Sequence, residues 1–390
     1  MNSIKFFKGE GGVPKSLPGE DHKSGFLMYL PDSDLPLGFS STDRIKGVSS
    51  METAESLGIK GDATSWYVRV LHYHISEILR INPGVTLYVG LFLKPASTYS
   101  FREVKDLQNF ADGCLRQIAV YAPEKVLIAG DLSLLQGVAK ELEAEHSPVS
   151  LLYACNVTNA TTLTNMSSAG MSNVSVVISQ DGDADSVGCI LFKDAGKKGS
   201  VTTIGLALGS VSLASVHESI AWIRKFPSGI FTPALADGTL MKNLDKAVIE
   251  SLDSKRFLFL ITQQGMGGSF WNDSHTMDLG TGDYAFIENV RTIDKAIRGI
   301  RKYVLPELSG PLYVDPTSGN LSPGVVTYLE QLAGRQLEDM ERAGELSGYK
   351  VEINPSQNVL ATSEVEFVVR KVGVGVMRKV KVKVGFTTKL

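Results

Sequence analysis

Between Val85 and Ser179, short apolar runs alternate with stretches of helical period, and this pattern limits the fold more than any other feature of the chain. The runs are Val85–Leu93, Lys125–Ala129, Val149–Ala154 and Val174–Ser179; the helical stretches are Phe101–Ala119 and Leu132–Glu145, with a weaker one at Thr158–Ser168. Apolar runs of strand length without polar alternation predict strands covered on both faces. Such strands joined by helices predict a parallel sheet between two helical layers, a three-layer α/β domain. Phe26–Leu30 reads as a further strand, Ala63–Arg80 as a helix and Asp183–Leu191 as a candidate helix. Val201–Ser215, rich in Gly, Ala and Ser, suits a tightly packed helix or a strand; helix is favoured because Ile204, Leu208, Val211 and Ser215 share a face and His217–Ile223 continues the pattern.

Pro227, Gly229, Pro233 and Gly238 mark a linker, and the domain boundary is expected near it. The expected division is an extended arm over 1–25, an α/β domain over 26–235 and a C-terminal domain over 236–390. In the last, Leu244–Leu252 reads as a helix, Arg256–Thr262 as a buried strand and Gly265–Gly282 as a glycine-rich loop. Ser322-Pro323 starts a second helix, with the hydroxyl as N-cap and Pro where its missing N–H costs nothing. Val326, Leu329, Ala333, Leu337 and Met340 give that helix one apolar stripe, and Gly344 stops it. Glu330, Arg335, Glu338, Asp339, Glu341 and Arg342 lie on its other faces, with Glu338 and Arg342 spaced for an i,i+4 pair.

The chain closes on Val380, Val382, Val384 and Phe386 alternating with Lys381, Lys383 and Gly385, the period of a strand with one apolar face. Arg370, Lys371, Arg378, Lys379 and Lys389 add to this basic tail, against Glu364 and Glu366. A strand so charged on one face suits an edge that is protected or shared with a chosen partner. Near the other end, Ser3–Phe7 reads as a second strand-like segment before a Gly- and Pro-rich stretch.

The order of these elements carries a resemblance. Asp283-Tyr284, Asn289 through Arg298, the capped helix, Gly344 through Tyr349 and the Val-rich close resemble the C-terminal domain of contractile tail sheath proteins. Gly11 through Pro14 and Leu17 through Gly25 resemble a sheath N-terminus. The likeness covers the two ends of the chain, and the middle is less recognisable.

The resemblance implies an α/β domain on the outer surface, and an α+β sheath-like domain formed by the C-terminal region with the N-terminal arm. It implies a subunit that polymerises into a helical sleeve around a tail tube. Terminal strands would be exchanged between subunits through Ile4 and Phe6 at one end and Val380, Val382, Val384 and Phe386 at the other. It implies a tube-facing helix carrying Arg335, Glu338, Asp339, Glu341 and Arg342. The partners would be further copies of the chain, the tail tube protein, and baseplate and tail terminator proteins, in a virion tail or injection particle assembled in the cytoplasm of a bacterial cell.

Composition is that of a soluble globular protein: of 390 residues, 43% are hydrophobic and 21% charged, and the formal net charge is −3. That balance gives no bulk reason for nucleic-acid or membrane partners. Cys114, Cys155 and Cys189 lack CxxC spacing and suit a reducing compartment. The N-terminus lacks the apolar run of a signal peptide, and no run is long enough for a membrane span.

No cofactor or catalytic set is expected. An α/β enzyme or nucleotide-binding protein is the alternative, with Gly265-Met266-Gly267-Gly268 as phosphate loop. Phe270 through Met277 has no helical stripe to put a helix N-terminus behind that loop. A non-contractile particle or adaptor protein sharing the fold is a second alternative. His72 and His74 diverge by about 200° on a helix, which disfavours a shared metal. Gly196-Lys197-Lys198-Gly199-Ser200 lacks P-loop spacing. Asp181, Asp183 and Asp185 begin like an EF-hand loop, but Ser186 and Phe192 stand where that loop needs Gly and Glu. Ser269 and Ser274 lie near Asp273 and His275 without a nucleophile elbow.

Overall fold

The computed structural model describes residues 19–387, so Ile4 and Phe6 lie outside the described residues. The chain divides into two compact units at Asp294/Lys295, well beyond the segment expected as a linker. In order, the first unit holds β1 (Ser24–Leu30), β2 (Ile45–Val48), α1 (Met51–Ser56), α2 (Trp66–Ile81), β3 (Leu87–Leu93), α3 (Glu103–Phe110), β4 (Gln117–Val126), α4 (Ala129–Ala144), β5 (Ser150–Asn156), β6 (Val174–Val176) and β7 (Ser179–Asp181). It continues through α5 (Val187–Lys193), α6 (Ile204–Leu213), β8 (Pro233–Leu235), α7 (Lys246–Ser254), β9 (Leu260–Thr262) and β10 (Ser269–Trp271). The division falls inside α8 (Ile287–Val304), after which come α9 (Pro323–Arg342), β11 (Leu346–Ile353), α10 (Val359–Thr362) and β12 (Phe367–Gly373).

The first unit is built on a six-stranded sheet of order β2-β3-β1-β4-β5-β6, parallel except for the edge strand β2. β1 lies at its heart, buried at every position, with Phe26 paired to Val89 on one side and Ala119 on the other. Its side chains alternate between two cores. Phe26, Met28 and Leu30 pack with α2 and α6, whereas Leu27 and Tyr29 pack with α3 and α4. The sheet therefore lies between two helical layers, as the alternation of strands and helices predicts.

α6 is a helix, and two glycines explain how it fits. A Cβ on Gly205 would stand 2.5 Å from the His74 carbonyl oxygen, and one on Gly209 would stand 3.0 Å from Ile81 Cβ and 3.2 Å from the Ile78 oxygen. Spaced by four residues, they form one bare stripe on which α2 lies.

Several boundaries differ from the sequence expectation. Only Glu103–Phe110 of the expected helix Phe101–Ala119 is helical; Asp112 and Gly113, at φ 53° and 68°, turn the chain, and Gln117 begins β4. Lys125–Ala129 is therefore the end of β4 and the start of α4, not a strand of its own. Thr158–Ser168 contains a single 3₁₀ turn, Ala160–Thr162, and His217–Ile223 forms turns. α5 begins at Val187, where Ser186 Oγ accepts the Cys189 N–H. The Pro227–Gly238 segment contains β8, which pairs antiparallel with β7 and is buried throughout. Leu258 extends the main sheet beside β6, giving its N–H to Val176 at 2.8 Å and accepting from Ile178 at 2.9 Å.

In the second unit, α9 packs on the antiparallel pair β11–β12. Ser322 caps α9, its Oγ accepting the Val325 N–H at 3.5 Å. The expected stripe is buried at Leu329, Ala333, Leu337 and Met340, and Val326 is partly buried. Gly344, at φ 74°, ends the helix in a Schellman arrangement: Glu345 N–H donates to Met340 and Gly344 N–H to Glu341.

Candidate assembly surface

β11 and β12 pair in the register Lys350↔Arg370, Val351↔Val369, Glu352↔Val368 and Ile353↔Phe367. One face of this ribbon is covered: Leu346, Tyr349 and Val351 pack with Leu337 and Met340, and Ile353 and Phe367 pack with Leu329 and Val326. The other carries Lys350, Glu352, Val368, Arg370 and Val372. There Glu352 pairs with Lys350 at 2.5 Å and with Arg370. The Lys350 hydrogen bond, with the charges of Lys350 and Arg370 beside it, holds the Glu352 carboxyl below its usual range.

Backbone geometry then shows which way the open edge of β11 faces. Ile353 gives its N–H to Glu330 Oε1 at 2.9 Å. An amide carries one proton, so Ile353↔Phe367 is a non-hydrogen-bonded pair of the ladder. Antiparallel pairs alternate in kind, so Val351 and Tyr349 also turn their N–H and C=O away from β12. Alongside lies a groove of about 730 Å³, lined by Thr327, Glu330, Gln331, Gly334, Arg335, Glu338 and Glu341 of α9 and by Tyr349, Lys350 and Val351 of β11. Burial, with the charges of Glu338 and Glu341 nearby, raises the Tyr349 phenol above its usual pKa.

Of the charged residues singled out on α9, Arg335, Glu338, Asp339, Glu341 and Arg342 are exposed and Glu330 is half-buried, and they do not all line the groove. Arg335, Glu338 and Glu341 line the groove; Asp339 and Arg342 are not among its lining residues. The expected Glu338–Arg342 pair forms. The Arg335 guanidinium also stands over the Tyr303 ring, 5.9 Å from its centroid. Glu330 entered the sequence reading only as one more charge on the helix. Its role depends on where β11 lies, which no local spacing records.

Residues 374–387 form no helix or strand. The apolar row expected there is turned to solvent: Val380, Val382 and Val384 are 65%, 75% and 91% exposed, and Phe386 is fully exposed. The chain thus presents an alternating segment without a ladder among the described residues, together with an open strand edge beside a groove.

The residues considered for chemistry have other surroundings. Gly265–Gly268 lies in the turn of the β9–β10 hairpin, where Thr262 pairs with Ser269 and no helix N-terminus follows. His72 and His74 diverge on α2. His72 lies 3.4 Å from Glu55, while His74 is buried among the rings of Phe26, Tyr73 and Tyr121. Asp181 and Asp183 accept backbone N–H groups of Asp183 and Asp185. Ser274 Oγ donates to Glu288 at 2.5 Å, and His275 Nε2 lies 3.1 Å from Asp253. Among the described residues no group of three or more His, Cys, Asp or Glu could hold a metal ion, and no helix is long and apolar enough to cross a membrane.

Comparison with known proteins bears out the resemblance noted in the sequence. Residues 37–275 match the family described as DUF2586, N-terminal domain, and residues 283–390 match DUF2586, C-terminal domain. A curated relative, the "Putative tail sheath protein" of Haemophilus phage HP1 (strain HP1c1), is 27% identical over 130 residues, 31% of this chain and 33% of the relative. The match thus spans about a third of that protein. Among solved structures, a chain of the anti-feeding prophage (AFP) baseplate, studied by cryo-EM, superposes with a TM-score of 0.66 at 14% identity, covering 100% of both chains. A chain of the contracted PVC sheath complex of an extracellular contractile injection system superposes with a TM-score of 0.54 at 10% identity, covering 100% of this chain and 98% of the other. The two superpositions show a shared fold.

Proposed function

Since the chain belongs to the DUF2586 family, and shares its fold with chains of contractile particles, we propose that it is a structural, non-enzymatic subunit of a contractile tail sheath or of the sheath of a related injection system. The name of the phage relative supports the same role. In this reading the subunits polymerise into a helical sleeve around a tail tube, in contact with baseplate and terminator proteins. The N-terminal segment with Ile4 and Phe6 and the tail with Val380, Val382, Val384 and Phe386 each add a strand to a neighbour. Two such strands at opposite ends of one chain join it to two neighbours, a heterologous contact that propagates instead of closing. The N-terminal arm completes the sheath-like domain, and the charged face of α9 meets the tube.

One observation carries this proposal: a two-stranded ribbon has an open edge beside a groove, in a chain that exposes an alternating Val/Lys segment. A two-stranded ribbon is marginal by itself, and added strands stabilise it through backbone hydrogen bonds that are indifferent to rigid rotation of the attached bodies.

Removing Met377–Leu390, or separately Met1–Lys8, is expected to leave a folded, soluble monomer that forms no sleeves under the electron microscope. Sleeves of normal length from either truncated chain would overturn strand exchange.

A further inference from the structure

We infer that Glu330 stands in for an incoming strand: its carboxylate holds the Ile353 amide at the open edge of β11 until the backbone carbonyl of a second copy's C-terminal segment displaces it. This rests on the proposed strand addition and concerns its control.

Ile353 is the one residue of the open edge whose N–H direction is fixed by a named bond, and that bond goes to a side chain, not to a strand. Glu330 reaches it from α9, across the groove that lies along the same edge. Glu330 forms no ion pair among the described residues, so its charge is directed at an amide. A carboxylate only accepts hydrogen bonds. It can therefore occupy the position of a strand carbonyl but cannot answer the outward C=O groups of Val351 and Tyr349. The stand-in is half a strand: it covers one donor at the end of the edge and leaves the rest of the ladder to a segment with both donors and acceptors.

An exposed edge pairs indiscriminately, and natural sheets commonly guard such edges with charge. Here the guard is negative and removable. The segment that suits it carries apolar side chains on one side and cations on the other. Val380, Val382 and Val384 alternate with Lys379, Lys381 and Lys383, so the displaced carboxylate meets an ammonium group as it leaves the amide.

The test uses the full-length chain and a fluorescent peptide of Met377–Leu390, with binding read by anisotropy. The Glu330→Ala chain is expected to bind the peptide about tenfold more tightly than the natural chain, about 1.4 kcal/mol. Glu330→Gln, which keeps the reach and an acceptor oxygen but no charge, is expected to fall between them, and it serves if the Ala variant is poorly folded. Equal or weaker binding by both variants would show that Glu330 is only a local brace and would overturn the inference. So would equal binding of a peptide carrying Pro at 380, 382 and 384, because such a peptide cannot complete a ladder. If neither this peptide nor one of Met1–Lys8 binds any of the chains, strand addition itself fails, and the stand-in with it.

Discussion

Gly199 and Gly137 are the same residue under opposite constraints. A Cβ on Gly199 would lie 1.6 Å from the Pro123 carbonyl oxygen, backbone against backbone at the end of β4, whereas one on Gly137, on the exposed side of α4, meets nothing within 4 Å. Gly199→Ala is therefore expected to destabilise the protein by about 3 kcal/mol or more. Gly137→Ala is expected to stabilise it by about 0.5–1 kcal/mol. Urea midpoints of the two variants should move in opposite directions; a shared direction would contradict the packing described. His74 adds a pH dependence. It is fully buried, neither ring nitrogen has a hydrogen-bond partner, and burial depresses its pKa from 6.5 to about 3. Its surroundings include the Tyr73 and Tyr121 phenols, which burial keeps neutral. Between these pKa values the unfolded chain binds a proton that the folded chain refuses. Stability is thus complete above about pH 6.5 and falls as the pH drops towards 3, by at most about 1.4 kcal/mol per unit from this one group. Urea midpoints between pH 7 and 4.5 should fall less steeply for His74→Leu than for the natural chain; parallel slopes would rule His74 out as a source of acid sensitivity.

At the scale of elements, α9 and α3 show what a sequence records and what it conceals. α9 has its cap, Pro, stripe and terminal Gly within the element itself, and all of them take up the expected roles. In the expected helix Phe101–Ala119, Val104, Leu107, Ala111, Leu115 and Ile118 keep helical spacing although the helix stops at Phe110. All five are buried in one core. They serve that core from a helix, a turn and a strand in succession, and Asp112-Gly113 was the only local mark of the change. The exposed charges of α9 allow a direct test of its proposed tube contact. Glu338, Asp339 and Glu341 replaced together by Lys should weaken co-assembly with the tube protein and leave the thermal unfolding midpoint nearly unchanged, because exposed charges contribute little to stability but much to complementarity. Normal co-assembly of a normally folded triple variant would remove the tube contact from this face.

For the molecule as a whole, the layered sheet and α9 were legible because each rests on periodicity: continuous apolar runs for the first, an apolar stripe for the second. β11 and β12 are not expected as strands from the sequence, and the alternating segment Val380–Phe386 that is expected as one forms none. The division near Asp294 was not legible, because it falls inside the regular helix α8 and no cluster of Gly or Pro marks it. The candidate surface was legible by half. The Val/Lys alternation of the tail is local, whereas the open edge, the groove and Glu330 exist only once α9 lies over β11. The exposed tail has a further practical consequence. Arg378, Lys379, Lys381 and Lys383 lie in an exposed segment outside helix and strand, the kind of site at which proteolytic nicking concentrates. Brief trypsin treatment of the free subunit should therefore release its C-terminal segment before the body of the protein is cut, and intact-mass measurement would follow the loss. Subunits joined through that segment should resist the enzyme, so the surviving fraction of full-length mass measures how much of a preparation is linked, without any need to image it.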